Sequence, residues 1–287
     1  MTILILGGTA EARALAAELT GAGRDVLTSL AGRVRDPAIP AGRVRVGGFG
    51  GADGLATFLR TNGIRAVVDA THPFAAQIAA HAATAARLTG IPMVRLERPG
   101  WADHPRSSGW TWVSDAEAAR AAAEAYRHPF LTTGRQSLPA FLGWADRSVL
   151  ARVVDPPDVP VPQRWTLITA RGPYVYAAER RLMAEFGVDV LLSKDSGGSH
   201  TVAKIDAAGD LGIPIVIIAR PRRAPAAQVG TVVDALAWLS DLPAGHRAGS
   251  FRACVAGPRR TPFRRRHRAR TGARRRGPGP GARGVAR

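Results

Sequence analysis

Short runs of branched and aliphatic residues alternate along the chain with longer stretches in which apolar positions recur every three or four residues. The runs at 3–6, 26–29, 44–46, 66–70 and 93–96 are bounded by Gly or Pro and predict strands. Between them, 11–20 carries Leu15 and Leu19 four apart, 53–61 carries Leu55, Phe58 and Leu59, and 75–88 is Ala-rich. Each predicts a helix with one apolar face. At 98–108 the pattern pauses in RPGWADHPRSS, which predicts a linker. It then restarts, with strands at 110–113, 130–133, 149–154, 167–169, 190–193 and 215–219. The helices predicted between and after them are 115–126, a short one at 137–142, 175–186, 202–211 and 232–239.

Strands separated by helical stretches of this length imply βαβ units and parallel sheets covered on both faces. The expected fold is therefore α/β, with two parallel-sheet halves, residues 1–98 and 109–243, facing each other across a cleft. Ligands of such sheets bind beyond the carboxyl ends of the strands, where loops lead into helices. Candidate chemistry is sought there.

The first such loop is Gly7-Gly8-Thr9-Ala10-Glu11. Glycines let the backbone approach an anion closely, and the start of the following helix offers its N–H groups to a phosphate. Thr9 can cap that helix or donate to a phosphate oxygen. At the end of the second strand, Thr28-Ser29-Leu30-Ala31-Gly32-Arg33 holds no acid to bond a ribose 2′-OH, and a cation stands in its place. A dinucleotide bound here would be NADP rather than NAD. The glycine-dense 47–51, Gly48 included, suits the close passage of a flat or bulky ligand. Asp69-Ala70-Thr71-His72-Pro73-Phe74 ends the fourth strand, with Pro73 expected as the first residue of the next helix.

Charge narrows the picture. The chain has 287 residues, 40 basic against 22 acidic, for a net charge of +18. Fourteen of the basic residues are arginines within 246–287, which holds no acid, so the first 245 residues carry 26 against 22. That Arg/Gly/Pro/Ala stretch, 244–287, has too little apolar surface to offset the entropy of ordering, and disorder is expected. Such a run would hold RNA or DNA loosely through phosphates. Only Phe251 and Phe263 interleave its arginines, and no folded reader stands beside it, so no specific nucleic-acid role is expected. One cysteine, Cys254, excludes a disulfide framework and a thiolate metal site. No apolar run approaches the roughly 20 residues that span a bilayer, and the N-terminus lacks the basic lead of a signal peptide. A soluble, cytoplasmic monomer is the expectation.

The motifs ILILGGTAEARALA, SLAGR, VGGFGG, DATHPFA, LTTGRQ, ARGPY, LLSKDSGG with TVAKIDAA, and IPIVIIARP occur in that order, out to about Leu242. Together they resemble the precorrin-6A reductase family of cobalamin biosynthesis. The resemblance implies two Rossmann-like halves and an NADPH-dependent reduction of a ring-D double bond in a tetrapyrrole, giving precorrin-6B. It also implies a pyrophosphate loop of Gly7, Gly8, Thr9 and Glu11, an adenosine-phosphate end of Ser29, Gly32 and Arg33, and a nicotinamide or substrate wall of Thr71, His72, Pro73 and Phe74.

A corrin precursor carries many carboxylates, so its pocket should offer Arg, Lys and backbone N–H groups. The second half has them at its strand ends: Arg135, Arg171 with Tyr174, and Lys194-Asp195-Ser196-Gly197. Lys194 and Lys204 are the only lysines in the chain. For the proton that accompanies hydride transfer, Lys194, Asp195, Tyr174, His72 and a bound water are all open. Other readings are a cobalt-precorrin-6A reductase, a nucleic-acid binder acting through the basic stretch, and a short-chain-type oxidoreductase. The last lacks its Tyr-x-x-x-Lys pair, since Tyr126, Tyr174 and Tyr176 are followed four residues on by Phe130, Ala178 and Arg180.

Overall fold

The structure, a computed structural model, describes residues 1–32 and 38–243. Arg33 and the Arg-rich stretch 244–287 lie outside the described residues. The strands are β1 (Thr2–Leu6), β2 (Asp25–Leu30), β3 (Arg43–Val46), β4 (Ile64–Asp69), β5 (Met93–Leu96), β6 (Thr111–Val113), β7 (Pro129–Thr132), β8 (Leu150–Val153), β9 (Thr166–Thr169), β10 (Val190–Lys194), β11 (Ile215–Ile218) and β12 (Ala227–Val229). The helices are α1 (Ala10–Gly21), α2 (Gly51–Thr61), α3 (Ala76–Thr89), α4 (Ala116–Ala122), α5 (Tyr176–Phe186), α6 (Ser199–Asp210) and α7 (Val232–Ser240), with 3-10 turns at Ser107–Gly109 and Arg135–Phe141.

Two six-stranded parallel sheets result, as the alternation predicts. Their orders are β12-β5-β4-β1-β2-β3 and β6-β11-β10-β7-β8-β9. Both follow one spatial plan, that of a doubly wound dinucleotide fold, with the order reversing between β1 and β4 in one sheet and between β7 and β10 in the other. The plan is completed by exchange. The chain's last strand, β12, pairs with β5 in the first sheet, and β6, which precedes β7, forms an edge of the second beside β11.

This corrects the expected boundary at 109–243. Residues 227–240 belong with the first sheet, and β12 is a strand the sequence pattern misses. Its AQV has one branched residue, and the helix after it reads as the end of whichever half precedes it. In fact Ala235 and Leu239 of α7 pack beside Leu15 and Leu19 of α1.

Side-chain alternation along the central strands explains the layering. Ile3 and Ile5 enter one core while Leu4 and Leu6 enter another, each essentially inaccessible, so β1 is covered on both faces. In the second sheet, Leu131 and Leu192 face one core and Phe130 and Leu191 the other. Each such side chain contributes on the order of 1.5–3 kcal/mol by burial. The expected linker is also built in, because Trp101 is buried in the core of the second half.

Candidate active site

At the carboxyl edge of the first sheet, the chain leaves β1 through Gly7 and Gly8. Gly7 is packed: a Cβ there would lie 2.8 Å from Thr28 Cγ2, and its N–H donates to Ser29 O. Gly8 adopts φ +118° and faces open space, so its backbone is the surface a ligand meets. Thr9 caps α1, its hydroxyl accepting from Ala12 N at 3.1 Å and donating to Ala70 O at 2.8 Å, which ties the β1 and β4 loops together. Glu11 does not face the glycine loop alone; its carboxylate accepts from Arg98 Nη1 at 2.7 Å.

The β2 end holds no acid among residues 28–32. Its nearest described cation is Arg45, on β3, which the sequence reading missed. Arg45 donates to Ser29 Oγ at 3.1 Å and to the carbonyls of Gly47 (2.8 Å) and Gly48 (2.9 Å), and lies 4.0 Å over the Phe49 ring. No carboxylate pairs with it among the described residues. Gly32 packs toward Val46, where a Cβ would lie 3.1 Å from Cγ1.

In the β4 loop, Thr71 is buried, its hydroxyl donating to Asp69 at 2.6 Å and accepting from Arg223 at 2.9 Å. Pro73 does not start α3, as the sequence reading expects. A turn closed by Ala75 N on His72 O intervenes, and α3 begins at Ala76. His72 Nδ1 accepts from Phe74 N at 3.2 Å, which leaves the imidazole proton on Nε2. Loss of water contact, then the facing charges of Arg98, Lys194, Arg220 and Lys204, push its pKa down to about 3. His72 is a neutral hydrogen-bond donor at physiological pH.

Charged side chains bind the two halves together. Arg98 donates to Glu11 with one nitrogen and to Ser196 O, in the loop after β10, with another at 2.7 Å. Glu97 accepts from Arg220 and Arg223, each at 2.8 Å. Asp69 pairs with Arg95 and Arg223. Asp195 accepts from Trp101 N at 2.8 Å and pairs with Arg220 at 3.3 Å. Gly197, at φ +63°, brings its backbone against the linker, where a Cβ would lie 2.1 Å from Pro99 O. Ser196 and Gly197 thus join the halves. The partners in these pairs lie on both sides of two crossovers, which sequence spacing does not reveal.

Lys194, the last residue of β10, stands apart from this network. It lines a crevice of about 200 Å³ with Phe74, Ser114, Asp115 and Ala219. Its ammonium sits 5.3 Å over the Phe74 ring, with no hydrogen-bonding or ionic partner among the described residues. Burial lowers its pKa. Lys204 is buried on α6, 5.6 Å over the Trp101 ring, with its pKa lowered to about 7 by burial and then by Arg152, against the pull of Glu179. Arg171 is exposed, Arg135 is half-buried near Pro156 O, and the Tyr174 hydroxyl donates to Ala170 O. The structure thus brings His72, Phe74 and Lys194 near one another where the halves meet, and places Lys204 inside the second half.

Among the described residues no helix is long and apolar enough to cross a membrane, and no group of His, Cys, Asp and Glu could hold a metal ion. A family model described as precorrin-6x reductase CbiJ/CobK matches residues 2–240. A precorrin-6A reductase from Rhodococcus erythropolis is 51% identical over 243 residues, covering 84% of this chain and 98% of the relative. One from Mycobacterium tuberculosis (strain ATCC 25618 / H37Rv) is 49% identical over 244 residues, with the same coverage of 84% and 98%. A solved structure of CobK precorrin-6A reductase superposes with a TM-score of 0.78 at 36% identity, over 84% of this chain and 96% of that one. The matched span ends before the Arg-rich stretch begins. The two parallel sheets, the glycine turn and these likenesses agree: the chain belongs to the precorrin-6x reductase CbiJ/CobK family of cobalamin-biosynthetic oxidoreductases.

Proposed function

We propose that this chain reduces precorrin-6A to precorrin-6B with NADPH as the reductant. The observation that carries the reading is the carboxyl edge of the first sheet. A glycine backbone open to a ligand at Gly8 is followed by a helix start, and Ser29 at the β2 end accepts from Arg45 of β3, which no carboxylate pairs among the described residues. These residues fit a phosphorylated dinucleotide. Gly8, Thr9 and the first turn of α1 would hold the pyrophosphate, and Ser29, Gly32, Arg45 and Gly48 the adenosine end, with Arg33 beside them in the sequence. Bound NADPH would supply the hydride for one carbon of a ring-D double bond.

The chain's own residues orient the partners and exclude water. His72, neutral with its proton on Nε2, would offer the bound partners a hydrogen-bond donor without adding charge. Pro73 and Phe74 supply an apolar wall. The crevice beside Lys194, about 200 Å³, is smaller than the roughly 300–1,000 Å³ of a typical small-molecule site, so it would take one edge of the macrocycle. The rest of the ring would lie along the cleft, its carboxylates reaching Arg135 and Arg171 at the rim. Metal-free precorrin-6A is favoured over the cobalt form because both relatives described above carry the metal-free substrate in their names.

Incubating the chain with precorrin-6A and either NADPH or NADH, while following pigment absorption and cofactor oxidation, tests the proposal. Oxidation of NADPH matched by bleaching of the pigment is expected. Oxidation of NADH at an equal rate would overturn the cofactor assignment, and turnover of cobalt-precorrin-6A alone would overturn the substrate.

A further inference from the structure

Saturating a carbon–carbon double bond takes a hydride and a proton, and the reductant brings only the hydride. Several side chains near the cleft carry an exchangeable proton. The carboxylate of Asp195 is engaged by Trp101 N–H and by Arg220, as an acceptor that joins the halves. The Tyr174 hydroxyl donates to Ala170 O under the Arg152 guanidinium, and burial pushes its pKa up, making it a weaker acid. His72 is a neutral imidazole whose one N–H proton is far too weakly acidic to give away. Lys204 is enclosed in the core of the second half against Trp101.

Lys194 differs from all of these. Its ammonium opens on the crevice opposite Phe74, the first-half residue next to the glycine and His72 loops, and neither a carboxylate nor a carbonyl engages it among the described residues. The charged and titratable groups around it come from every wall. Asp115 caps α4, its oxygens taken by Ala118 N and the Ser114 hydroxyl, and His72, Arg98 and Arg220 face the same space. Among the described residues no carboxylate pairs with Lys194, Asp115 being held on the far side of the crevice by its own cap, while burial favours the neutral amine.

Building on the reading above, we propose that Lys194 is the catalytic acid of the reduction. When one carbon of the double bond receives the hydride, the electron pair left on its neighbour takes a proton from the Lys194 ammonium. The N–H bond breaks as the new C–H bond forms, and the neutral amine regains its proton from solvent. The alternative role for an isolated ammonium here is to anchor a substrate carboxylate, and two substitutions separate the two. Arg keeps the charge but does not release a proton, whereas Met removes both.

For an acid, Lys194→Arg and Lys194→Met both lose roughly 100-fold or more in kcat, while the Kd for precorrin-6A measured by pigment titration without reductant changes less than about threefold in Lys194→Arg. For an anchor, Lys194→Arg keeps kcat and only Lys194→Met weakens binding, which would overturn the proposal. A readout independent of turnover is available because the chain has only two lysines. After 13C reductive methylation, the resonance missing from Lys194→Met reports Lys194. It should titrate below the ordinary lysine value of 10.5, in register with the alkaline fall of kcat. Titration at the ordinary value, or survival of that alkaline fall in Lys194→Arg, would overturn the proposal. A wild-type chain that does not oxidise NADPH with precorrin-6A would instead remove the functional reading on which it rests.

Discussion

The Glu11 carboxylate, in the first turn of α1 beside the glycine turn, is held by Arg98 at 2.7 Å, so its charge is compensated where a phosphate is expected. Arg45 escapes notice in the sequence because RVRV reads only as a strand, and its charge becomes informative once β3 lies beside Ser29. Replacing Arg45 with Ala should weaken NADPH binding by roughly tenfold, about 1.4 kcal/mol, and leave NADH almost unaffected. Calorimetric titration with both cofactors checks this, and an equal loss for both would show that Arg45 supports the loop rather than the 2′-phosphate. Lys204 carries a different prediction. Its pKa falls from 10.5 to about 7 on folding, so between those values the unfolded chain binds more protons, and stability rises with pH across that window. Below about pH 7 the cost of burying the charge is present in full. Lys204→Met should therefore be more stable than wild type by a few kcal/mol at pH 7 and below, with the alkaline rise abolished in denaturant titrations.

Elements were the most legible level. Among the described residues, eleven of twelve strands and all seven α-helices fall where apolar periodicity places them, because their faces are buried locally and the pattern records that burial. The ends are set by capping: Thr9, Asp115 and Thr231 each accept from the backbone of the first helical turn. The helix predicted at 115–126 stops at Ala122, and the predicted one at 137–142 is a 3-10 turn over Arg135–Phe141 that contains Pro139. Between β10 and α6, Gly197 reads as a ligand loop and proves to be a contact between backbones. Gly197→Ala would force a Cβ against Pro99 O at a positive φ. A loss of several kcal/mol in stability is expected, well beyond the roughly 1 kcal/mol of an ordinary Gly→Ala strain, because the opposing atom is backbone. Thermal unfolding checks this, and an unchanged Tm would mean that the linker yields.

At the scale of the molecule, the exchange of edge strands makes the halves interdependent. Ending the chain at residue 226 would remove β12 and α7, uncover β5, and expose Leu15 and Leu19 on α1. The truncated chain should lose NADPH binding and the unfolding transition of the first half. Trp144 and Trp165, in the core of the second half, should keep their buried emission. A single unfolding transition at the wild-type temperature would show that the exchange is dispensable. Glu97 tests the same coupling from within, since its carboxylate holds both Arg220 and Arg223 at the end of the first-half strand β5. Glu97→Ala takes one carboxylate from each of two largely buried guanidinium groups, which keep Asp195 and Asp69, and a loss of about 1–3 kcal/mol is expected in denaturant titration.

Local burial left its mark on the order of residues, so the α/β class, the parallel sheets, the glycine turn and the family likeness were all readable before any fold was known. Strand exchange and the ion pairs across the crossovers were not, because they join residues far apart in the chain, such as Glu97 with Arg220, 123 positions on, and with Arg223, 126 positions on. No local period encodes such a contact. The same holds for the chemistry of the cleft. That His72 is neutral, that Asp195 is committed to Arg220, and that Lys194 faces the crevice with no partner among the described residues follow from which charges folding brings near each other and which it withdraws from water.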